Sequence, residues 1–206
     1  MIYLVDFDKT ISKQCSCATM IDHFATADTT ILEQEWESGR LSTPQMTDKM
    51  LSILDMTEET LLQVIKGIEI DPYFPAFFNH CIRHQKRIAI VSDGYSLLIH
   101  SILKQYMIED IQVYANELYF DNGIWKASFP YHSMSTPNLG VSKRDIIKKY
   151  QKLDHVTFIG DGYTDYQAAE TADRVFAKDK LAIHCQKNGI SYLPFQNFQD
   201  IIATDF

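Results

Sequence analysis

The sequence lacks the features by which membrane proteins and nucleic-acid-binding proteins are usually identified. No stretch approaches the ~18 consecutive apolar residues of a membrane span, and no basic stripe offsets the formal net charge of −8. Because proteins that bind a phosphate backbone carry Lys and Arg along one face, we expect no nucleic-acid partner. The N-terminus begins directly in an apolar strand without a basic flank or a cleavage signal, which predicts a cytoplasmic protein with no membrane partner.

Cysteine is also scarce: the chain has four, and only Cys15 and Cys17 are close in sequence. Their spacing differs from the C-x₂-C of common zinc sites, and no further ligands lie near them, so reduced thiols are expected. With 206 residues, 46% of them hydrophobic and 22% charged, the chain has the composition of an ordinary globular protein. That length accommodates one core, or a core with an inserted subdomain.

Strand and helix patterns alternate from residue 86 onward, which predicts an α/β fold with a doubly wound parallel sheet. Apolar runs predict strands at 2–5, 87–91, 111–114, 156–159 and 174–177. Amphipathic patterns predict helices at 72–85, 95–107, 142–152 and 163–172, with a final helix, strand and helix at 181–188, 191–195 and 198–202. Asp121-Asn122-Gly123 predicts a hairpin within 117–129, whose aromatic residues favour core packing over a dimer contact.

Residues 15–70 interrupt this alternation because they contain helical patterns and no convincing strand. The predicted helices are 18–25, 31–36, 44–54 and 58–68, and Pro44 and Thr57 stand at good start positions. We therefore predict a helical lid at 15–70, inserted into an α/β core formed by residues 1–14 and 71–206. An insertion after the first strand would lie over the carboxyl edge of the sheet, where such folds bind ligands.

Two carboxylates, Asp6 and Asp8, follow the first predicted strand in the stretch Asp6-Phe7-Asp8-Lys9-Thr10. At a spacing of two residues they are expected to point to the same side. Like charges held close together repel, so the arrangement requires a bound cation, a shifted pKa, or both. The alternative is that one Asp caps the next turn, which is a common role for Asp at strand ends.

Polar residues follow two further strands, as Ser92-Asp93-Gly94 and as Gly160-Asp161-Gly162, with Thr164 and Asp165 shortly afterwards. Taken singly, Ser92 fits a helix N-cap, and Asp161 between two glycines fits a turn. Lys143 is more discriminating, because a cation in the first turn of a helix opposes the helix dipole. It is accommodated easily if it meets an anion in front of the sheet, and the alternative is a solvated surface lysine.

Together these positions supply the groups that phosphoryl transfer from a monoester requires. Asp6 is the predicted nucleophile, and Asp8 is the acid and base for the leaving oxygen and the attacking water. Mg²⁺ is the predicted cofactor, held by Asp6, the main-chain carbonyl of Asp8 and Asp161. Asp165 would orient the site or Lys143 from behind. The predicted phosphate- and substrate-binding residues are Thr10, Ser92, Asp93, Gly94 and Lys143.

The motifs Asp6 to Thr10, Ser92 to Gly94, Ser142-Lys143 and Gly160 to Asp165 resemble the haloacid dehalogenase superfamily of phosphatases. The helical insertion after the first motif looks like the cap of the phosphoserine-phosphatase-like branch. Within that branch, residues 176–198 look like the 2-hydroxy-3-keto-5-methylthiopentenyl-1-phosphate phosphatases. The resemblance implies a magnesium-dependent phosphomonoesterase that forms an aspartyl-phosphate.

The sequence departs from the narrower subfamily at Asp93, since that group typically has Ser-Gly-Gly where this chain has Ser-Asp-Gly. It also lacks a cysteine-rich insertion before Lys143, and it has Thr164 where related phosphatases often carry Asn. The resemblance implies that Glu37 and Arg40 of the insertion could be the charged pair that recognises phosphoserine. The alternative is that both are solvated charges on a helix surface.

Four other functions use similar residues. A phosphotransferase or mutase would form the same aspartyl-phosphate, and a phosphoserine phosphatase would use the same set of catalytic residues. A signalling receiver also surrounds an aspartyl-phosphate with acids and a lysine, but in receivers the lysine is the last motif, whereas Asp161 follows Lys143 here. An inactive phosphate-binding module would be expected to have lost at least one motif residue, and all are present.

Overall fold

A computed structural model describes residues 1–206, in which seven strands form one sheet and ten α-helices surround it. The strands lie in the order β4, β3, β2, β1, β5, β6 and β7 across the sheet. All neighbouring pairs are parallel except β3 with β4. The strands are β1 (Ile2–Val5), β2 (Arg87–Tyr95), β3 (Gln112–Asp121), β4 (Ile124–Ser128), β5 (Val156–Gly160), β6 (Arg174–Ala177) and β7 (Leu193–Pro194). The predicted doubly wound α/β fold is confirmed.

The helices fall into an inserted group and a group that covers the sheet. The inserted group is α1 (Ser16–Phe24), α2 (Thr30–Glu37), α3 (Thr43–Leu51) and α4 (Glu58–Ile65). The others are α5 (Phe74–Arg83), α6 (Ser96–Lys104), α7 (Lys143–Gln151), α8 (Tyr166–Ala169), α9 (Asp179–Asn188) and α10 (Phe198–Asp205). None of these helices is long and apolar enough to cross a membrane.

Strand β1 is buried on both faces because it lies in the middle of the sheet. Its side chains alternate, so Tyr3 and Val5 join the larger apolar cluster, while Ile2 and Leu4 join a second cluster on the opposite face. Helix α7 packs into the second cluster through Ile146 and Ile147. The face toward which Leu4 points is therefore the face on which α7 begins.

Main-chain pairing closes the neck of the helical insertion. The N–H of Lys13 donates to the carbonyl of Glu69 at 2.8 Å, and the N–H of Asp71 donates to the carbonyl of Ile11 at 2.8 Å. On the far side, the indole N–H of Trp125 donates to the carbonyl of Met56 at 2.9 Å in a buried bond. The insertion is thus attached both to the core strands and to the hairpin of β3 and β4, while the domain boundaries at residues 15 and 70 stay a prediction.

Several predicted elements differ from the observed ones. The strand predicted at 87–91 continues to Tyr95, so α6 begins at Ser96 and not at Tyr95. Predicted strand 111–114 and the first half of the hairpin are one ten-residue strand, β3, because its first half pairs with β2 and its second half with β4. The helix predicted at 163–172 is a 3₁₀ turn, Tyr163–Asp165, followed by the short helix α8.

The aromatic hairpin is divided between core and surface. Trp125 is buried, whereas Tyr119 and Phe120 are exposed by 44% and 45%. As consecutive strand residues, Tyr119 and Phe120 point to opposite faces of the hairpin. Phe120 lies opposite Trp125, with ring centroids 5.2 Å apart, but the hairpin is at the edge of the sheet and both side chains stay partly open to solvent. Core packing is therefore confirmed for Trp125 and was wrong for Tyr119 and Phe120.

Replacing Phe77 of α5 by Ala should destabilise the fold strongly, because its ring is fully buried and packs at 5.0 Å from Tyr3 and 5.2 Å from Phe198. We expect a loss of about 3–5 kcal/mol in the free energy of unfolding, measured by urea denaturation. Ile82→Ala is the matched control, since Ile82 lies on the same helix with 56% exposure. A similar loss in both variants would contradict the assignment of Phe77 to the core.

Candidate active site

The polar residues singled out in the sequence lie at the ends of three adjacent strands. Asp6 follows β1, Ser92 and Gly94 lie in the last part of β2, and Asp161 follows β5, with β1 between the other two. Because these strands are parallel, their carboxyl ends meet at one edge of the sheet. Residues as distant in sequence as Asp6 and Asp161 are brought together by this topology.

Lys143 begins α7 and is buried in front of these strand ends, with 1% exposure. Its ammonium group donates to Oδ1 of Asp6 at 2.5 Å and to Oδ1 of Asp165 at 2.6 Å. Burial lowers the pKa of Lys143, but the Asp165 and Asp6 carboxylates outweigh this effect and hold the pKa above its ordinary value. The surface-lysine alternative is wrong, and the helix N-terminus tolerates the cation because two anions face it.

Asp165 links the lysine to the loop after β5. Its second oxygen, Oδ2, accepts hydrogen bonds from the N–H groups of Asp161 and Gly162, both at 3.0 Å. A methyl group added at Gly160 would lie 2.6 Å from this same oxygen, so the loop approaches Asp165 too closely for any side chain at position 160. The absence of a side chain at Gly160 therefore serves packing as well as turn formation, and Asp165 contacts the Lys143 ammonium, while its predicted role in orienting the site stays a prediction.

The site holds more negative than positive charge. Carboxylate oxygens of Asp6, Asp161 and Asp165 all lie within 4.8 Å of one another, and Lys143 forms ion pairs with two of them, Asp6 and Asp165. Burial and the neighbouring Asp165 raise the pKa of Asp6 well above its ordinary value, and the same causes raise the pKa of Asp161 to about 6. A hard divalent cation, which prefers oxygen ligands, fits this unbalanced carboxylate group.

Asp8 has a different environment from Asp6. Its Oδ1 accepts the N–H of Ser16, at the start of α1, at 2.6 Å, and a methyl group added at Gly94 would lie 2.8 Å from its Oδ2. Burial raises the pKa of Asp8, and its hydrogen bonds with Ser16 only partly oppose that effect. The two carboxylates do not continue the strand alternation, because three N–H groups fold back onto the carbonyl of Phe7 in a tight turn.

Ser92 is not a helix N-cap, because three residues separate it from α6 and Tyr95 occupies the cap position. Its hydroxyl accepts the N–H of Gly94 at 3.0 Å, beside the Oδ2 of Asp8. Cys17 also lies there, since its sulfur would be 3.8 Å from a methyl group at position 94. Burial raises the pKa of Cys17 well above that of an ordinary thiol, which disfavours the reactive thiolate.

Two predicted phosphate-binding side chains have other partners. The Thr10 hydroxyl donates to Oδ1 of Asp161 at 2.8 Å, and the Asp93 carboxylate accepts from Thr43 and from the N–H of Val141. Contact of these two residues with phosphate stays a prediction.

Two charged residues of the insertion, predicted as a possible substrate-recognition pair, lie at the surface. Glu37 is exposed and lies 3.6 Å from Lys180, and Arg40 is exposed with no ion-pair partner. The Ser142 hydroxyl caps α7 by accepting the N–H of Asp145, whose own carboxylate accepts hydrogen bonds from Ser133 and Ser135.

Sequence reasoning missed the N–H of Ser16 and the side chains of Thr43 and Asn116. The N-cap of α1 is Cys15, which is not among the residue types that signal a helix start, and the contact of the Ser16 N–H with Asp8 depends on how the insertion folds back. Thr43 and Asn116 lie 50 and 23 residues from Asp93, and no local pattern links them to it.

Known proteins resemble the chain along most of its length. The pattern of haloacid dehalogenase-like hydrolases matches residues 3–170. A 2-hydroxy-3-keto-5-methylthiopentenyl-1-phosphate phosphatase of Bacillus thuringiensis (strain Al Hakam) is 28% identical over 201 residues, which cover 95% of this chain and 91% of that protein. Its counterpart from Bacillus cereus (strain ATCC 10987 / NRS 248) is 29% identical over 202 residues, with the same coverage.

Solved structures share the fold. A phosphoserine phosphatase with an analogue of its phospho-aspartyl intermediate superimposes with a TM-score of 0.73 at 19% identity, covering 98% of this chain and 97% of that one. Phosphoserine phosphatase from T. onnurineus gives a TM-score of 0.72 at 14% identity, with coverage of 98% and 92%. At these identities the structural likeness establishes the architecture alone.

Replacing Gly160 by Ala should destabilise the site, because the added methyl group meets the Asp165 carboxylate and the Phe158 ring at 2.6 and 2.8 Å. We expect a loss of about 1–3 kcal/mol in thermal or urea unfolding, as for other overpacked positions. Gly162→Ala is the matched control, since nothing lies within 4 Å of a methyl group there and its φ is −119°. Equal stability of the two variants would contradict the close approach of Asp165.

Proposed function

The chain belongs to the haloacid dehalogenase-like hydrolase family and is a phosphoric monoester hydrolase; we propose that it acts on a small phosphorylated metabolite through an aspartyl-phosphate formed on Asp6. The observation that carries this proposal is the buried group of Asp6, Asp161 and Asp165 around the single ammonium of Lys143. A cluster of this kind at the carboxyl edge of a parallel sheet is suited to charge redistribution on a phosphoryl group.

In the first step, an oxygen of Asp6 attacks phosphorus as the bond from phosphorus to the leaving oxygen breaks. Asp8 transfers its proton to that oxygen, so the product leaves as a neutral alcohol. The raised pKa of Asp8 supports this role, because a buried carboxyl group holds its proton to higher pH than an exposed one. The hydrogen bond from Lys143 to Asp6 keeps the nucleophile oriented and favours its anionic form.

In the second step, water attacks phosphorus and the bond to Asp6 breaks, which releases inorganic phosphate. Asp8, now a carboxylate, takes the proton of that water and returns to its starting form. The N–H of Ser16, at the start of α1, donates to Oδ1 of Asp8 and keeps this carboxyl group oriented in both steps. Asp6 thus acts as the nucleophile and Asp8 as the acid and base, because their surroundings differ.

The residues present fit a magnesium ion, with Asp6, Asp161 and the main-chain carbonyl of Asp8 as the groups that would hold it. When bound, the ion would offset the repulsion between the phosphate dianion and the carboxylates. Thr10 keeps Asp161 in place through its 2.8 Å hydrogen bond, and Asp165 holds the N–H of Asp161 from behind. These contacts orient the ligand set before any ion enters.

For the substrate we propose 2-hydroxy-3-keto-5-methylthiopentenyl-1-phosphate or a related compound, because proteins named for that activity match 95% of the chain. The second candidate is phosphoserine, which the shared architecture favours. An amino acid requires partners for its ammonium and carboxylate groups, and the lid's two candidates are exposed, with Glu37 directed to Lys180. This observation favours a leaving group without an amino acid's paired charges.

We also propose that the protein is cytoplasmic.

Replacing Asp6 by Asn should abolish phosphate release, because an amide oxygen is a poor nucleophile and the covalent step is lost. The purified protein would be assayed over a panel that includes the methylthiopentenyl phosphate, phosphoserine and phosphoethanolamine, with and without a chelator. We expect turnover by the wild type only, and only with Mg²⁺ present. Full activity of Asp6→Asn or of the chelated protein would contradict the mechanism. Transfer of phosphate to an added alcohol would instead identify a phosphotransferase.

Replacing Asp8 by Asn should slow release of an alkyl alcohol far more than release of p-nitrophenol, because p-nitrophenolate leaves without a proton. We expect the first-turnover rate to fall about 100-fold or more for an alkyl phosphate and much less for p-nitrophenyl phosphate. For the wild type, alkyl phosphate turnover should decline as pH rises through the elevated pKa of Asp8, since the acid form is then lost. An equal loss for both substrates would exclude Asp8 as the acid.

A further inference from the structure

Asp93 connects two parts of the molecule that are distant in sequence. Its Oδ2 accepts the hydroxyl of Thr43, at the start of α3 in the inserted helices, at 2.7 Å. Its Oδ1 accepts the N–H of Val141, two residues before Lys143, at 2.8 Å. One carboxylate therefore contacts both the insertion and the segment that carries the catalytic-site lysine.

The segment on the lysine side is held at several points. The N–H of Ser142 donates to the carbonyl of Tyr131 at 2.8 Å, and the Asn116 amide donates to the carbonyl of Asp93 at 2.7 Å. A methyl group added at Gly140 would lie 2.6 Å from the Asn116 side chain, so the chain passes directly over this amide. Displacement of Val141 would consequently displace the start of α7.

The insertion side is held in a similar way. The N–H of Thr43 donates to the carbonyl of Asn138 at 2.8 Å, and the indole N–H of Trp36 donates to the Thr43 hydroxyl oxygen at 3.1 Å. The Trp36 ring also packs edge-on against the ring of Tyr163, with centroids 6.4 Å apart. Tyr163 lies two residues after Asp161. Thr43 is thus the point at which the insertion meets the loop that leads to Lys143.

We infer that Asp93 is a positioning residue, whose carboxylate couples the seating of the helical insertion on the core to the position of Lys143. The expected effect on kcat rests on the proposed function, whereas the coupling between the insertion and Lys143 rests only on the hydrogen bonds of Asp93. When the insertion is seated, Thr43 and Val141 share one carboxylate and the lysine segment is held. When it lifts, Asp93 loses one partner and the segment loses part of its support.

The kinetic test compares variants that break the bridge with variants that keep it. Asp93→Ala and Thr43→Val remove it, whereas Thr43→Ser keeps a hydroxyl and Asp93→Asn keeps an acceptor for Val141 and gains a donor for Thr43. With p-nitrophenyl phosphate as the probe, we expect kcat to fall about tenfold in the first two variants, with recovery to within about threefold in the conservative pair. The double variant Asp93→Ala/Thr43→Val should be no more than about threefold worse than Asp93→Ala.

Three outcomes would overturn the inference. The first is an unchanged kcat in Thr43→Val. The second is a loss of kcat in the double variant equal to the product of the two single losses. The third is a loss of kcat in Asp93→Asn as large as that in Asp93→Ala. The last result would mean that the charge of Asp93 acts directly, for instance on a cationic group of the substrate. Thermal unfolding of each variant identifies any that has simply lost its fold.

Hydrogen exchange tests the coupling without any assay of activity. In Thr43→Val, the amide of Val141 should exchange at least about threefold faster than in the wild type, although the substitution lies in another part of the chain. Thr43→Ser should leave that rate unchanged. An unaltered Val141 rate in Thr43→Val would overturn the coupling even if the protein is a phosphatase. Conversely, faster exchange in a protein without phosphatase activity would reject the proposed function alone.

Discussion

The Lys143 ammonium lies between the carboxylates of Asp6 and Asp165 in a region from which water is largely excluded. A lysine buried alone would lose its charge or unfold its surroundings, and so would either carboxylate. The two carboxylates therefore depend on the lysine, and removal of Lys143 would leave both of them buried without their cation. The start of α7, the end of β1 and the loop after β5 are held in register by this one ionic contact.

The same contact leaves a surplus of negative charge, and that surplus determines what the site can bind. Asp161 and Asp6 have raised pKa values because burial and the nearby Asp165 disfavour another anion. A phosphate dianion cannot approach such a group unless a cation accompanies it. The proposed specificity for a phosphate monoester accompanied by Mg²⁺ rests on this charge balance. The proposed role of Asp8 in proton transfer rests on its different surroundings, since its carboxylate accepts the N–H of Ser16 and has no ion-pair contact with Lys143.

Local sequence patterns identified most strands and helices because the periodicity of apolar residues reports directly on which faces are buried. They failed where pairing partners decide the outcome. Strand β2 extends to Tyr95 because β3 lies alongside it, and the polar residues Ser92 to Gly94 carry no strand signal of their own. Strand β3 is continuous because it pairs with different neighbours along its length, and a pattern of single residues cannot reveal the two partners.

The sequence by itself determined the chemical inventory: two aspartates after a buried strand, a serine, a lysine set against a helix dipole, and a glycine-flanked aspartate. It did so because residue type and spacing limit which chemistry a strand end can perform. Only the tertiary structure decided the partner of each group. Thr10 hydrogen-bonds to Asp161, Asp93 hydrogen-bonds to Thr43 and Val141, and Lys143 forms ion pairs with two carboxylates. Those partners lie many residues apart, and packing of the sheet and the insertion brings them within hydrogen-bonding distance.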